Sequence, residues 1–74
     1  LEFTSSKERA ARLHEALGTL PSNYRDIIVL YHFEHLKYGE IAEVLDLPLG
    51  TVMNRIFRAR KRLRTAFEEL GGAL

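Results

Sequence analysis

Between Gly50 and Arg64 the chain sets down six basic side chains, Arg55, Arg58, Arg60, Lys61, Arg62 and Arg64, with no acidic residue among them. Guanidinium and ammonium groups at that density bind phosphate, and a guanidinium also pairs bidentately with guanine O6 and N7. Asn54 adds an amide suited to adenine or to a phosphate, and Met53 and Phe57 add apolar surface suited to thymine methyl groups. Phosphate-pairing and base-touching side chains on one segment point to a nucleic-acid groove. The competing reading is a solvated helix face, because Lys and Arg are good helix formers and suit a helix C-terminus. Charge distribution favours the groove. Residues 1–50 carry five basic and eight acidic side chains, a formal −3, whereas residues 51–74 carry six and two, a formal +4. The net +1 therefore hides a dipolar molecule, and docking responds to the local patch rather than to the sum.

Other groups offer less chemistry. His32 and His35 stand three apart beside Glu34 on the expected second helix, a chelating spacing without a third convergent ligand, so no metal site is expected. His14 reads as a surface or packing histidine. Glu40 and Glu43 have no nucleophile or base partner in view, and Glu40 is placed to cap its own helix. No glycine-rich phosphate loop precedes a helix. The expectation is recognition without chemistry: no enzyme, no catalytic residue, no cofactor and no metal.

The basic residues need a helix to hold them in order. Val52, Ile56, Ala59, Leu63, Phe67 and Leu70 recur at three or four residues and define its core-facing stripe. Asn54, Arg58 and Lys61 then lie opposite, with Thr51, Arg55 and Arg62 on one flank and Met53 and Phe57 on the other. A short helix near Tyr38 to Leu45 precedes it, ended by Asp46-Leu47-Pro48. With Ala42 where the helices approach and Leu47 in the corner, the pair reads as a helix-turn-helix over about residues 38–64. In that motif the second helix enters the major groove and the first braces on the backbone, which assigns Met53, Asn54, Phe57 and Arg58 to the bases. Lys37, Tyr38, Thr51, Arg55, Arg60, Lys61 and Arg62 are assigned mainly to phosphates.

Two helices are expected upstream. Ser5 and Glu8 have capping-box spacing, Ala10, Leu13, Leu17 and Leu20 form an apolar stripe, and Gly18 stops a helix that runs to about Leu17. Pro21 restarts the chain into a second helix reaching about Leu36. That helix is apolar on two sides, Tyr24, Ile27, Ile28 and Tyr31 on one and Val29, Phe33 and Leu36 on the other. It is either sandwiched in its own domain or shared with a partner protein. The fold class is therefore all-α, a small four-helix domain with a C-terminal helix-turn-helix and no winged features. Residues 1–4 read as a ragged start, an expression scar or the cut end of a longer protein, residues 5–70 as a single DNA-binding domain, and residues 71–74 as a tail.

Seventy-four residues without cysteine allow one domain with a small core, no disulfide and no thiolate zinc site. The longest apolar run, Ile27 to Tyr31, is far short of the roughly 20 residues that span a bilayer. A soluble protein with no membrane role is expected.

The run LPSNYRDIIVLYHFEHLKYGEIAEVLDLPLGTVMNRIFRARKRLR resembles region 4, the C-terminal promoter-binding domain, of bacterial sigma-70-type factors, closest to the extracytoplasmic-function group. The resemblance spans Leu20 to Leu70. It rests on Leu20-Pro21 with Arg25, on Tyr38-Gly39-Glu40-Ile41-Ala42, and on Pro48-Leu49-Gly50-Thr51-Val52 followed by Arg55, Arg58, Ala59 and Arg60. It implies binding of double-stranded promoter DNA at the −35 element, a seat on the β flap of the RNA polymerase core, and control by an anti-sigma factor. It also implies a cytoplasmic protein, and a monomer is expected. The alternative is a sigma-like interaction module that binds an anti-sigma factor without reading DNA. A response-regulator output domain shares the helix-turn-helix but lacks the Leu20-Pro21 and Pro48 to Val52 runs. The chain departs from the family pattern at Met53 and Asn54, where a basic residue and a serine are usual, at Gly39, where an acidic or polar residue is usual, and at Asp46, where glycine is frequent. Asp tolerates left-handed backbone, so the turn at Asp46 is expected to survive.

Overall fold

The computed structural model describes residues 2–71, with side chains described from Lys7 onward. Four α-helices follow one another without a strand among the described residues: α1 (Glu2–Gly18), α2 (Ser22–Ile28), α3 (Tyr38–Leu45) and α4 (Leu49–Glu69). The all-α expectation holds, and so does the helix-turn-helix formed by α3 and α4.

The core gathers side chains from all four helices. Leu17 and Leu20 come from α1 and its exit, Ile27 and Ile28 from α2, Ile41 from α3, and Val52, Ile56 and Ala59 from α4. α4 packs chiefly on α2 and also on α1 and α3, so the longest helix is the common wall of the domain. Its predicted stripe is the buried one: Val52, Ile56, Ala59 and Phe67 are buried and Leu63 and Leu70 partly so. Its 21 residues run about 32 Å at 1.5 Å per residue, which accounts for much of the 43 Å long axis of the molecule.

The first two helices depart from expectation at their ends. α1 is already helical at Glu2, so Ser5 lies inside it and is no N-cap. Its buried residues are Ala16 and Leu17, whereas Ala10 is exposed and Leu13 sits at the rim. Gly18 is the last residue of α1 and does not adopt the left-handed conformation. The stop comes instead from Thr19, whose hydroxyl donates to the Ala16 carbonyl (2.7 Å), and from a tight turn in which the Leu20 N–H donates to Leu17. Arg25 then reaches back to donate to the Leu20 carbonyl at a long 3.4 Å, tying the α1–α2 corner together.

The second helix does not run to Leu36. After Ile28 it widens into a π-helical turn, Val29–Phe33, in which the Glu34 N–H donates to the Val29 carbonyl (2.9 Å). The chain leaves it through His35 at φ 59, with the Leu36 N–H closing on the Leu30 carbonyl (3.0 Å). His35 is thus outside the helix, and the equal helical spacing expected of His32 and His35 is lost. Ile27 and Ile28 are both buried, and Val29, Leu30, Tyr31 and Leu36 pack partly against the core, so most of the two apolar sides is used within the domain. Phe33 is left 47% exposed.

α3 begins with half a capping box. The Glu40 carboxylate accepts from the Lys37 N–H (2.8 Å), and the lysine ammonium has no acceptor with which to return the bond. Asp46 ends α3 in the left-handed region (φ 54, ψ 52), and the Leu47 N–H donates to the Ala42 carbonyl (2.9 Å). Leu47 packs on the core from that corner, and Pro48 opens α4 two residues after the left-handed residue. The tail expected at residues 71–74 has Gly71 in a turn at φ 85, and its remaining residues lie outside the described ones.

Ile41 is fully buried between α3 and α4, so Ile41→Ala is expected to cost about 2–5 kcal/mol. Thermal unfolding followed by circular dichroism should show a Tm lowered by roughly 4–8 °C per kcal/mol. The Asp46→Gly variant is expected to match or exceed the parent Tm, and Asp46→Val to fall below it, because only glycine adopts φ 54 without a Cβ penalty.

Candidate nucleic-acid interface

With Val52, Ile56 and Ala59 fixed to the core, the rest of α4 is presented outward by helical geometry. The four residues assigned to bases share that outer surface: Met53 is 49% and Phe57 62% exposed, and Asn54 and Arg58 are exposed beside them. Leu49, 50% exposed, stands one turn before Met53, so Leu49, Met53 and Phe57 form an apolar edge at i, i+4 and i+8. Lys61 continues the edge with its ammonium 5.4 Å from the Phe57 ring centre. The i+4 spacing would have included Leu49 from sequence.

The phosphate-assigned residues divide between two flanks. On the flank facing α2 lie Thr51, Arg55 and Arg62. The Arg62 guanidinium sits over the Tyr24 ring at 5.1 Å, and Arg55 is half-buried in a groove that it shares with Asn23, Tyr24, Thr51, Asn54 and Arg58. On the opposite flank Arg60 stands near enough to Tyr38 and His32 to influence both. Lys37 and Tyr38 lie apart from α4, at the start of α3. Lys37 is exposed, but Tyr38 is half-buried against the core with its ring 5.2 Å from Tyr31, so it has a packing role besides the phosphate contact expected of it. Asn23 and Tyr24 were not among the predicted site residues. Tyr24 reads from sequence as one of α2's apolar positions, and only the crossing of α2 over α4 brings it to the arginines.

The electrostatics of the face follow from what the arginines lack. Among the described residues the one ion pair is Arg64 Nε to Glu68 Oε2 at 3.8 Å, between two exposed side chains. Arg55, Arg58, Arg60, Lys61 and Arg62 have no carboxylate partner there. The neighbouring Tyr31 hydroxyl pushes the Tyr38 hydroxyl up from its ordinary value, and the Arg60 charge opposes it. Partial burial, then the Arg60 and His35 charges, hold the His32 imidazole below its usual range. His14, exposed on α1, stacks on Phe33 with ring centres 6.4 Å apart.

The family model described as Sigma-70, region 4 matches residues 10–63. The chain belongs to that family. RNA polymerase sigma-H factor of Pseudomonas aeruginosa is 41% identical to this region 4 domain over 77 residues, covering 95% of the chain and 40% of that protein. ECF RNA polymerase sigma factor SigW of Bacillus subtilis is 38% identical over 65 residues, covering 88% of the chain and 35% of that protein. RNA polymerase sigma factor SigV of the same organism is 50% identical over 52 residues, covering 70% and 31%. Such relatives place the domain with the extracytoplasmic-function group, as the sequence resemblance implied. The chain spans less than half the length of each of these relatives. Among the described residues no helix is long and apolar enough to cross a membrane.

Proton NMR of the His32 ring checks the electrostatics of the α3-side flank. The titration midpoint is expected below the ordinary value of about 6.5, and Arg60→Ala is expected to raise it. Because the folded state holds this proton less tightly than the unfolded chain, the His32 contribution to stability is lost as pH falls through the window just below about 6.5. A midpoint at or above that value would contradict the partial burial of His32 and the nearby Arg60 and His35 charges.

Proposed function

We propose that this region 4 domain reads the −35 element of promoter DNA as part of an extracytoplasmic-function sigma factor that directs RNA polymerase to initiate transcription. The observation that carries the reading is the outer face of α4, where Asn54 and Arg58 project without carboxylate partners beside the exposed Met53 and Phe57, on a helix fixed by a helix-turn-helix corner. A helix of that width fits the major groove, and those four side chains offer hydrogen-bonding and methyl-contacting groups to base edges. Arg58 is assigned the guanine contact, Asn54 an adenine or phosphate, and Met53 and Phe57 the thymine methyl groups. Arg55 and Arg62 on one flank, Arg60 on the other, and Lys61, Thr51, Lys37 and Tyr38 position the helix on phosphates. A domain of this size buries little DNA surface, so useful affinity depends on the assembly that carries it, with the β flap of the polymerase core as partner. The domain acts in the cytoplasm as a monomer.

A second reading has its own observation. Leu13, Leu17, Ile28, His32, Phe33 and Leu63 line an apolar hollow of about 310 Å³ on the side of α1 and the π-turn, a seat for an anti-sigma factor. Such a module has no need of five unpaired cations on α4, which is why DNA reading is preferred.

Selection from duplexes with a randomised short site, repeated across salt concentrations, tests the choice. A motif is expected to be enriched, and Arg58→Ala is expected to relax one position of it by about 1–3 kcal/mol. Binding indifferent to sequence, or absent at low salt, would sink DNA readout and favour the interaction module.

A further inference from the structure

The groove between α2 and α4 borders the base-reading row, sharing Asn54 and Arg58 with it, and has the makings of a site of its own. Asn23, Tyr24, Thr51, Asn54, Arg55 and Arg58 enclose about 230 Å³, and no carboxylate is among the described residues that line it. Two of its walls are guanidinium groups without ion-pair partners among the described residues, and two more are neutral amides able to donate. Unpaired guanidinium groups sharing a concave pocket with neutral donors bind an oxyanion, and the planar fork of arginine suits two phosphate oxygens at once. Next to the pocket, Arg62 rests on the Tyr24 ring at 5.1 Å. The ring thereby fixes a long side chain that would otherwise be free in solvent.

The α2 side of the pocket is held independently of any ligand. The Tyr24 and Arg25 N–H groups both donate to the Pro21 carbonyl (3.0 and 2.9 Å), and Arg25 reaches the Leu20 carbonyl. Tyr24 also packs against the core. Asn23 is exposed at the end of this braced corner, facing α4 across the groove.

We propose that the α2 corner is a second DNA-contacting element, in which Asn23 together with Arg55 seats one backbone phosphate beside the base-reading Arg58, and Tyr24 is the positioning residue that holds Arg62 for the next. This rests on the reading of α4 as a groove-bound helix and adds to it a contact from outside the helix-turn-helix. It also gives Arg58 two neighbours of different kinds, bases on one side and a phosphate pocket on the other.

The test measures affinity for the selected duplex against salt, using the whole chain. Each phosphate neutralised contributes about 0.9 to the slope of log affinity against log salt. Asn23→Asp puts a carboxylate into the pocket at an exposed position, so it should fold normally, weaken binding evenly across duplex sequences and lower the slope by about 1. Tyr24→Leu should lower the slope as much as Arg62→Ala, with no further loss when the two are combined, while Tyr24→Phe, which keeps a ring, should retain it. Thermal unfolding of each variant separates these effects from loss of fold. If the parent chain binds the duplex and Asn23→Asp leaves affinity and slope unaltered, the pocket assignment is overturned and the reading of α4 survives. Additive losses for Tyr24→Leu and Arg62→Ala, or an unaltered slope in Tyr24→Leu, overturn the positioning role. A parent chain with no affinity for DNA refutes both proposals together.

Discussion

Everything in this domain depends on α4 burying one stripe completely. Val52, Ile56 and Ala59 are between 0 and 2% exposed, and they meet Ile27 and Ile28 of α2 and Ile41 of α3 in a core with no buried polar side chain among the described residues. The same helix carries six cations on its remaining surface. Arg58 with Arg62 and Arg60 with Arg64 are like-charge neighbours at i and i+4, and Arg55 with Arg58, Arg58 with Lys61 and Lys61 with Arg64 stand at i and i+3. Each such pair opposes helix formation by about 0.2–0.5 kcal/mol, whereas full burial of one Val or Ile side chain contributes about 1.5–3 kcal/mol. Burial of the stripe outweighs the summed repulsion. The basic face is therefore a load that the core sustains, and an anion bound along it would relieve that load.

That division of labour explains which features were legible in the sequence. The stripe and the outward face of α4 follow from one period held over 21 residues, and every buried residue of the helix was in the predicted set. The left-handed turn at Asp46 and the cap from Glu40 were also legible, because each depends on a single residue type at a fixed offset from a helix end. Upstream the same logic fails for identifiable reasons. Gly18 resembles a helix stop, yet Thr19 satisfies the Ala16 carbonyl with its hydroxyl and the glycine keeps ordinary helical backbone. Periodicity at 100° per residue cannot register the π-turn at Val29–Phe33, which shifts the phase of everything after it and leaves His35 in a left-handed stop. Ala16 is fully buried although the apolar stripe read from spacing did not include it, because alanine carries little apolar weight in such a pattern.

The site was half legible on the same terms. Residues on α4 share a face by local geometry, so Met53, Asn54, Phe57 and Arg58 could be grouped from sequence. Asn23 and Tyr24 could not, since their place beside Arg55 and Arg62 is created by the crossing of two helices. Nor does spacing alone reveal that Tyr38 is half-buried on Tyr31.

The two flanks of α4 are chemically unlike, and this has a consequence for how such a helix would lie on a duplex. One flank is polar and braced from α2, with Thr51, Arg55 and Arg62 beside Asn23 and Tyr24. The other is apolar at Leu49, Met53 and Phe57, and it ends in Arg60 against Tyr38 and His32. The polarity of a helix and the helices packed behind it already distinguish the two directions along a groove, and unlike flanks add to that difference. Here, reversing the helix would bring the apolar edge to phosphates and the arginines to the position of thymine methyl groups, leaving unpaired charges on both sides of the contact. Dimeric helix-turn-helix proteins obtain direction from symmetry and paired half-sites. On the proposed reading as a monomer, the inequality of the two flanks of α4 contributes that direction.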